Sequence, residues 1–182
     1  MASEAISPQV ATIWTIGHST RSLQEFLDLL AAYRIGTVAD VRRFPGSHRH
    51  PHFARDALAQ TLPASGTTYA WLPKLGGRRR AQPDSPNTGW RNASFRGYAD
   101  HLSSGEFAEG LAELLALAAL RRTTLMCSEV LWWRCHRSLI ADVLRQRGIE
   151  VIHITDAVHS TVHPYTSPAR IVNGQLSYEA SD

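Results

Sequence analysis

Thr123 to Leu144 reads T-T-L-M-C-S-E-V-L-W-W-R-C-H-R-S-L-I-A-D-V-L. It opens as an apolar run, Thr124 to Met126, which is expected to form a buried strand. It closes with Leu139, Ile140, Val143 and Leu144 on one face of an expected amphipathic helix. Between them lies a loop, Cys127 to Cys135. A helix start offers free backbone N–H groups and the positive end of the helix dipole, and both favour an anion. Cys135, His136 and Arg137 fall at that start. A thiol placed there has its thiolate stabilised, and Arg137 adds a forked cation suited to phosphate or carboxylate. A reactive site, if the chain has one, is expected here.

The same alternation of strand and helix runs upstream and downstream. Thr12 to Ile16 reads as a strand, followed by the polar loop Gly17-His18-Ser19-Thr20. Ser22 to Glu25 is S-x-x-E, a capping box, and Leu23, Phe26, Leu27, Leu29, Leu30 and Tyr33 continue from it at helical spacing up to Gly36. Further strands are expected at Thr37 to Val41, Thr67 to Leu72 and Val151 to Ile154. Helices are expected at Ala54 to Leu62, Ser94 to Leu102 and Phe107 to Leu120. Residues 1–11 read as a disordered lead, 12–155 as one α/β domain, and 156–182 as an irregular extension in which Asn173-Gly174 could turn a small hairpin. The pattern predicts a single domain with a mostly parallel central sheet and helices on both faces. Ligands of such sheets bind beyond the carboxyl ends of the strands. There the topology would gather Gly17-His18-Ser19, Asp40-Val41-Arg42, Leu75-Gly76-Gly77 and Cys127-Ser128-Glu129.

Composition narrows the field. The chain has 182 residues, 43% of them hydrophobic and 19% charged, which suits one soluble domain with a real core. No apolar run approaches the roughly 20 residues needed to cross a bilayer, and the first ten residues do not read as a signal peptide. With two cysteines and no export signal, both thiols are expected to be reduced in a cytoplasm. The net charge of +3 is carried mostly by arginine, clustered at Arg42, Arg43 and Arg49, at Arg78 to Arg80, and at Arg121 and Arg122. One such cluster is ordinary surface; three in loops beside aromatic residues suggest a phosphate-bearing partner.

Several motifs occur in order: T-I-G-H-S at Thr15 to Ser19, D-V-R with a following P-x-S at Asp40 to Ser47, L-G-G at Leu75 to Gly77, F-x-x-Y-A at Phe95 to Ala99, and C-x-E then C-H-R at Cys127 to Arg137. Together they resemble the bacterial and archaeal family called domain of unknown function 488, over about Thr12 to Thr155. The resemblance implies a single α/β domain and little about activity. Members of the family often carry charged residues between the glutamate and C-H-R, where this chain has Val130-Leu131-Trp132-Trp133.

The residues themselves suggest three chemistries. Cys135 could be a nucleophile, with His136 or His18 as its base and Arg137 holding an anion; the bland alternative is a buried thiol packing as a small hydrophobe. The spacing is not the C-x5-R of phosphatases. Asp40 and Glu129, at the ends of different strands, could divide acid and base work across a cleft, or could merely pair with Arg42 and Arg137. Cys127, Cys135, His136 and His18 could surround a metal, but C-x7-C-H is no standard zinc pattern, and neither a metal nor another cofactor is expected. Trp132 and Trp133, in a loop beside arginine, could stack on a base. The expected catalytic set is therefore Glu129, Cys135, Asp40 and His18. The expected binding set is Arg42, Ser19, Gly76, Gly77, Arg78, Tyr98, Trp132, Trp133, His136 and Arg137. The leading expectation is an enzyme, a hydrolase or a cleaver of glycosidic bonds, acting on a phosphate-bearing nucleotide or nucleic acid. The alternatives are a non-catalytic anion- or nucleic-acid-binding module and a metal-dependent hydrolase. No membrane partner is expected, and oligomeric state is left open.

Overall fold

The computed structural model describes residues 10–182, so the expected lead at 1–11 lies almost wholly outside the described residues. Strands β1 (Thr12–Gly17), β2 (Thr37–Asp40), β3 (Thr68–Trp71), β4 (Thr123–Cys127) and β5 (Glu150–Ile154) alternate with helices α1 (Leu23–Ala32), α2 (Arg55–Ala64), α3 (Ala93–His101), α4 (Gly105–Leu120) and α5 (Arg137–Gln146). Local chemistry starts the helices. Ser22 accepts from the Glu25 N–H at α1, Asn92 from Ser94 and Phe95 at α3, and Ser104 from Phe107 at α4, each satisfying a donor that has no partner within the helix.

The five strands are mutually parallel, and β6 (Ser160–Val162) extends the sheet antiparallel to β5, giving the order β3-β2-β4-β1-β5-β6. β4 thus sits between β2 and β1, and its carboxyl end falls where the chain changes its direction of travel across the sheet, the usual place for a ligand. Side chains alternate between the two faces of each strand. Trp14, Ile16, Val38 and Met126 pack against Phe26, Leu30, Leu58 and Leu62 of α1 and α2. Ile13, Ala39, Leu125 and Cys127 pack against Leu111, Leu139 and Ile140 of α4 and α5. The expected α/β domain with helices on both faces is therefore what forms. Among the described residues no helix is long and apolar enough to cross a membrane.

The C-terminal extension is more ordered than its scattered Pro, His and Ser suggest. Besides β6 it forms a hairpin of β7 (Arg170–Val172) and β8 (Gln175–Ser177), with Asn173 and Gly174 both at positive φ (53° and 75°). That is the geometry an Asn-Gly turn favours. The extension is bolted to α5 at Asp142, whose buried carboxylate accepts from His163 Nε2 at 2.7 Å, the Thr166 N–H at 2.9 Å, the Thr166 hydroxyl at 2.5 Å and the Tyr178 hydroxyl at 2.7 Å. The chain of bonds continues inward, from His163 Nδ1 to His153 Nε2 at 2.9 Å and from His153 Nδ1 to Thr15 Oγ1 at 2.6 Å. Arg137 Nε donates to the same Thr15 oxygen. Neutral histidines satisfy every link if Thr15 donates to His153, His153 to His163 and His163 to Asp142.

Candidate active site

The carboxyl ends of β2, β3 and β4 meet the start of α5 around a cavity of about 350 Å³. β4 and its loop bring Cys127, Ser128 and Glu129. The loop after β2 brings Arg42, Arg43 and Phe44, and the loop after β3 brings Gly77 and Arg78. The start of α3 contributes Asn92, Ser94, Phe95 and Tyr98, and Arg134, Cys135 and His136 close the wall before α5.

Cys127 and Cys135 are both free thiols, and their sulfurs lie 2.9 Å apart. His136 Nε2 sits 2.9 Å from the Val41 carbonyl, which can only accept, so Nε2 carries the proton. Nδ1 is then left as a base, 3.6 Å from Cys135 Sγ. Burial lowers the pKa of His136, which keeps the ring neutral. Gly77 makes this packing possible: a Cβ there would lie 2.8 Å from His136 Nδ1. For Cys135, burial pushes the thiol up, but the hydrogen bond from Cys127 together with the charge and backbone N–H of Arg137 outweighs it, and the pKa falls to about 7. Cys127 goes the other way: burial, then its bond to Cys135, hold its thiol well above the ordinary range.

Arg43, Arg78 and Arg134 are exposed at this cavity and have no carboxylate within ion-pair distance among the described residues. The guanidinium groups of Arg43 and Arg78 both lie over the exposed ring of Phe44, at 5.5 and 5.7 Å, and Arg43 donates to the Arg78 carbonyl. Three unneutralised cations at one opening make an anion-attracting mouth. Glu129 lines the cavity too, with Oε1 accepting from the Leu131 N–H at 3.1 Å.

Other expected members of the site are elsewhere. Asp40 is fully buried and does not line the cavity. Its carboxylate takes both arms of Arg42, at 2.9 and 2.7 Å, and the Tyr69 hydroxyl at 2.5 Å. Arg42 touches the cavity, yet its guanidinium is committed to Asp40 and the Phe53 carbonyl. His18 and Ser19 are excluded because the loop after β4 folds over the end of β1. Their N–H groups bond the Cys127 and Ser128 carbonyls, and a Cβ on Gly17 would lie 2.0 Å from the Glu129 carbonyl oxygen. The His18 ring stacks on Phe53 at 4.3 Å, donates to the Ser19 carbonyl and accepts from Arg42 at 3.4 Å. Gly76 packs against the Arg43 backbone rather than the opening.

Arg137 is 1% exposed and faces inward, not towards an anion. It donates to Thr15 Oγ1, to Cys127 Sγ, and to the Glu129 and Val130 carbonyls. These contacts brace the loop, and Arg137 does not line the cavity. The tryptophans do not face the cavity either. Trp132 stacks on His153 at 4.5 Å with the planes 2° apart, and Trp133 stands edge-on to Trp132. Tyr98 does line the wall, with its hydroxyl donating to the Leu75 carbonyl. Among the described residues no three His, Cys, Asp or Glu side chains converge as a metal cage, and His18 stands apart from the set that could have included it.

The buried histidines make the fold acid-sensitive. Burial, aided by Arg42, lowers His18 to about 4, and burial followed by the neighbouring His163 lowers His153 further still. The unfolded chain takes up these protons near pH 6.5. Stability is therefore complete above that pH and is lost as pH falls below it, by up to about 1.4 kcal/mol per pH unit for each histidine. Urea titration at pH 7.5 and pH 5 should show a loss of about 2 kcal/mol or more; equal stability at the two values would contradict it.

The family model for a domain of unknown function, DUF488, matches residues 22–144. The chain belongs to the DUF488 family. No curated protein and no solved structure gives a significant match. Every cavity-lining residue of this DUF488 protein, from Arg42 to His136, falls inside the matched span, whereas His18, Ser19 and the Asp142-bound extension lie before or after it. Arg43, Phe44, Asn92, Ser94, Phe95, Cys127, Ser128 and Arg134 line the cavity but lie outside the expected catalytic and binding sets. The signal for some was present: Arg43 belongs to a noted arginine cluster, and Phe95 opens the F-x-x-Y-A motif.

Proposed function

We propose that this DUF488 protein is an enzyme acting on a phosphate-bearing substrate of nucleotide size, with Cys135 as its nucleophile. One observation carries the reading: the Cys135 thiol, paired with a neutral His136, faces a cavity whose mouth holds three arginines without acidic partners. The volume lies at the small end of the range of about 300–1,000 Å³ for small-molecule sites. It suits one nucleotide, free or unstacked from a strand. Arg43, Arg78 and Arg134 would hold phosphate, and the rings of Phe44, Phe95 and Tyr98 offer apolar surface to a base. His136 Nδ1 takes the proton of Cys135, the thiolate attacks the phosphorus or sugar carbon of the scissile bond, that bond breaks, and the leaving group takes the proton from His136. Glu129 would then draw a proton from the water that displaces Cys135 from the covalent intermediate and return it to the thiolate. Hydrolysis, or cleavage of a glycosidic bond, is the reaction class this supports. A cytoplasm, where thiols stay reduced, suits such chemistry.

A non-catalytic anion-binding module is the second reading, because the three arginines would serve it with no reactive thiol. The pH dependence of Cys135 alkylation by iodoacetamide separates the two. The reactive reading expects a midpoint near pH 7, slowed reaction in the presence of nucleotide, and loss of that protection in Arg78→Ala. A midpoint near the ordinary value of about 8.5 favours the module. Turnover across a panel of nucleosides, nucleotides and oligonucleotides should fall about a thousandfold or more in Cys135→Ser. Equal turnover in wild type, Cys135→Ser and Glu129→Gln would remove both residues from the mechanism.

A further inference from the structure

Cys127 only hydrogen-bonds the nucleophile in the mechanism above, yet its sulfur is the nearest reactive neighbour of Cys135. We propose that Cys127 is a resolving thiol: a hydroperoxide entering the cavity oxidises Cys135, and Cys127 then closes a Cys127–Cys135 disulfide that a dithiol reductant reopens. Both cysteines line the cavity, and their sulfurs are 2.9 Å apart. No segment has to unfold for the two to react. These are the chain's only cysteines, so no third thiol competes within the molecule.

The two sulfurs are made unlike by their surroundings. Cys135 is 7% exposed, borders the open cavity and sits beside the base His136 and the first N–H groups of α5. Cys127 is the deeper of the two, at the end of β4, and receives an N–H of Arg137. A small oxidant therefore meets Cys135 first, and the thiolate character there favours attack. The Arg137 guanidinium steadies negative charge on Cys127 when its turn comes.

The chemistry balances as follows. The Cys135 proton passes to His136 Nδ1, and the thiolate attacks the outer oxygen of the hydroperoxide. The O–O bond breaks, Cys135 becomes a sulfenic acid, and the departing alkoxide takes the proton back from His136 to leave as an alcohol. The Cys127 sulfur, giving up its own proton, then attacks Cys135. The S–O bond breaks, and hydroxide leaves with that proton as water. Two thiols lose two electrons and two protons, and the peroxide is reduced to alcohol and water. A dithiol reverses the disulfide by exchange. None of this needs a nucleotide, so it stands or falls apart from the function proposed above.

The test is oxidation of the reduced full-length protein by a slight excess of hydrogen peroxide, followed by intact mass and by thiol counting after denaturation. Wild type should lose both thiols and two hydrogens in mass, with both restored by dithiothreitol. Cys127→Ser should instead gain one oxygen, trapped as a dimedone adduct, and progress to higher oxides. Cys135→Ser should lose its remaining thiol about tenfold or more slowly than wild type, as expected of a thiol with little thiolate at neutral pH. A wild type that gains oxygen without losing two hydrogens, or keeps both thiols, overturns the proposal, and that measurement depends on no variant. Oxidation of Cys135→Ser as fast as wild type overturns the order of events.

Discussion

Asp142→Ala should lower folding stability by about 3–5 kcal/mol, which for a chain of this size is a melting temperature lower by roughly 10 °C. The carboxylate has no exposure and accepts four hydrogen bonds, all from donors in the C-terminal extension. Removing it leaves the Thr166 N–H and hydroxyl, the Tyr178 hydroxyl and His163 buried without their acceptor. Each orphaned group costs about 1–3 kcal/mol when it cannot reach water, and local opening would relieve part of that sum. The relief has a visible consequence: hydrogen exchange should rise across 156–182 before it rises in β1 or β4. Asp142→Asn keeps one carbonyl acceptor and should fall between the two. A change within about 0.5 kcal/mol in Asp142→Ala, the size seen at ordinary surface positions, would mean that the extension is held by something else.

Much of this architecture was legible in the chain, for reasons that are local. Period-3.6 apolar patterns and the Ser22 cap depend on neighbours a few residues away, and so does the Asn173-Gly174 turn. The loop after β4 could be placed at the carboxyl edge because strand order hardly matters to that conclusion. What could not be read is which polar groups turn inward. Asp40 looks the same in sequence whether it faces a cleft or locks Arg42 against Tyr69, a residue 29 positions away. Trp132 could stack on a ligand until His153, from a strand that follows α5, occupies that face. Topology groups His18 with the site, and it is the path of the Glu129 backbone over Gly17 that keeps it from the cavity. The misplacements share one cause. A buried polar contact is made between distant segments, and a single sequence carries no record of the pairing.

Arg137 puts the distinction between a brace and a clamp to its hardest test. Arg137→Met keeps much of the apolar stem and deletes the donors that reach Thr15, Cys127, Glu129 and Val130. The acceptors left behind are buried, and the loss should be about 3–5 kcal/mol. The same substitution removes a charge and hydrogen bonds that hold the Cys135 thiol down. The midpoint of its alkylation should therefore move up from about 7 towards the ordinary thiol range. Arg137→Lys keeps the charge but not the fork, so it should restore part of the midpoint and little of the stability. A residue that instead held substrate phosphate would behave in the opposite way: nucleotide protection of Cys135 would weaken while stability stayed within about 0.5 kcal/mol of wild type. That opposite pattern is the one expected of Arg78→Ala, whose side chain is exposed at the mouth of the cavity. Measured together by urea titration and by pH-dependent alkylation, the two variants assign one arginine to the frame and the other to the ligand. If Arg137→Met behaves as expected of Arg78→Ala, Arg137 is solvent-accessible in solution and the brace does not exist.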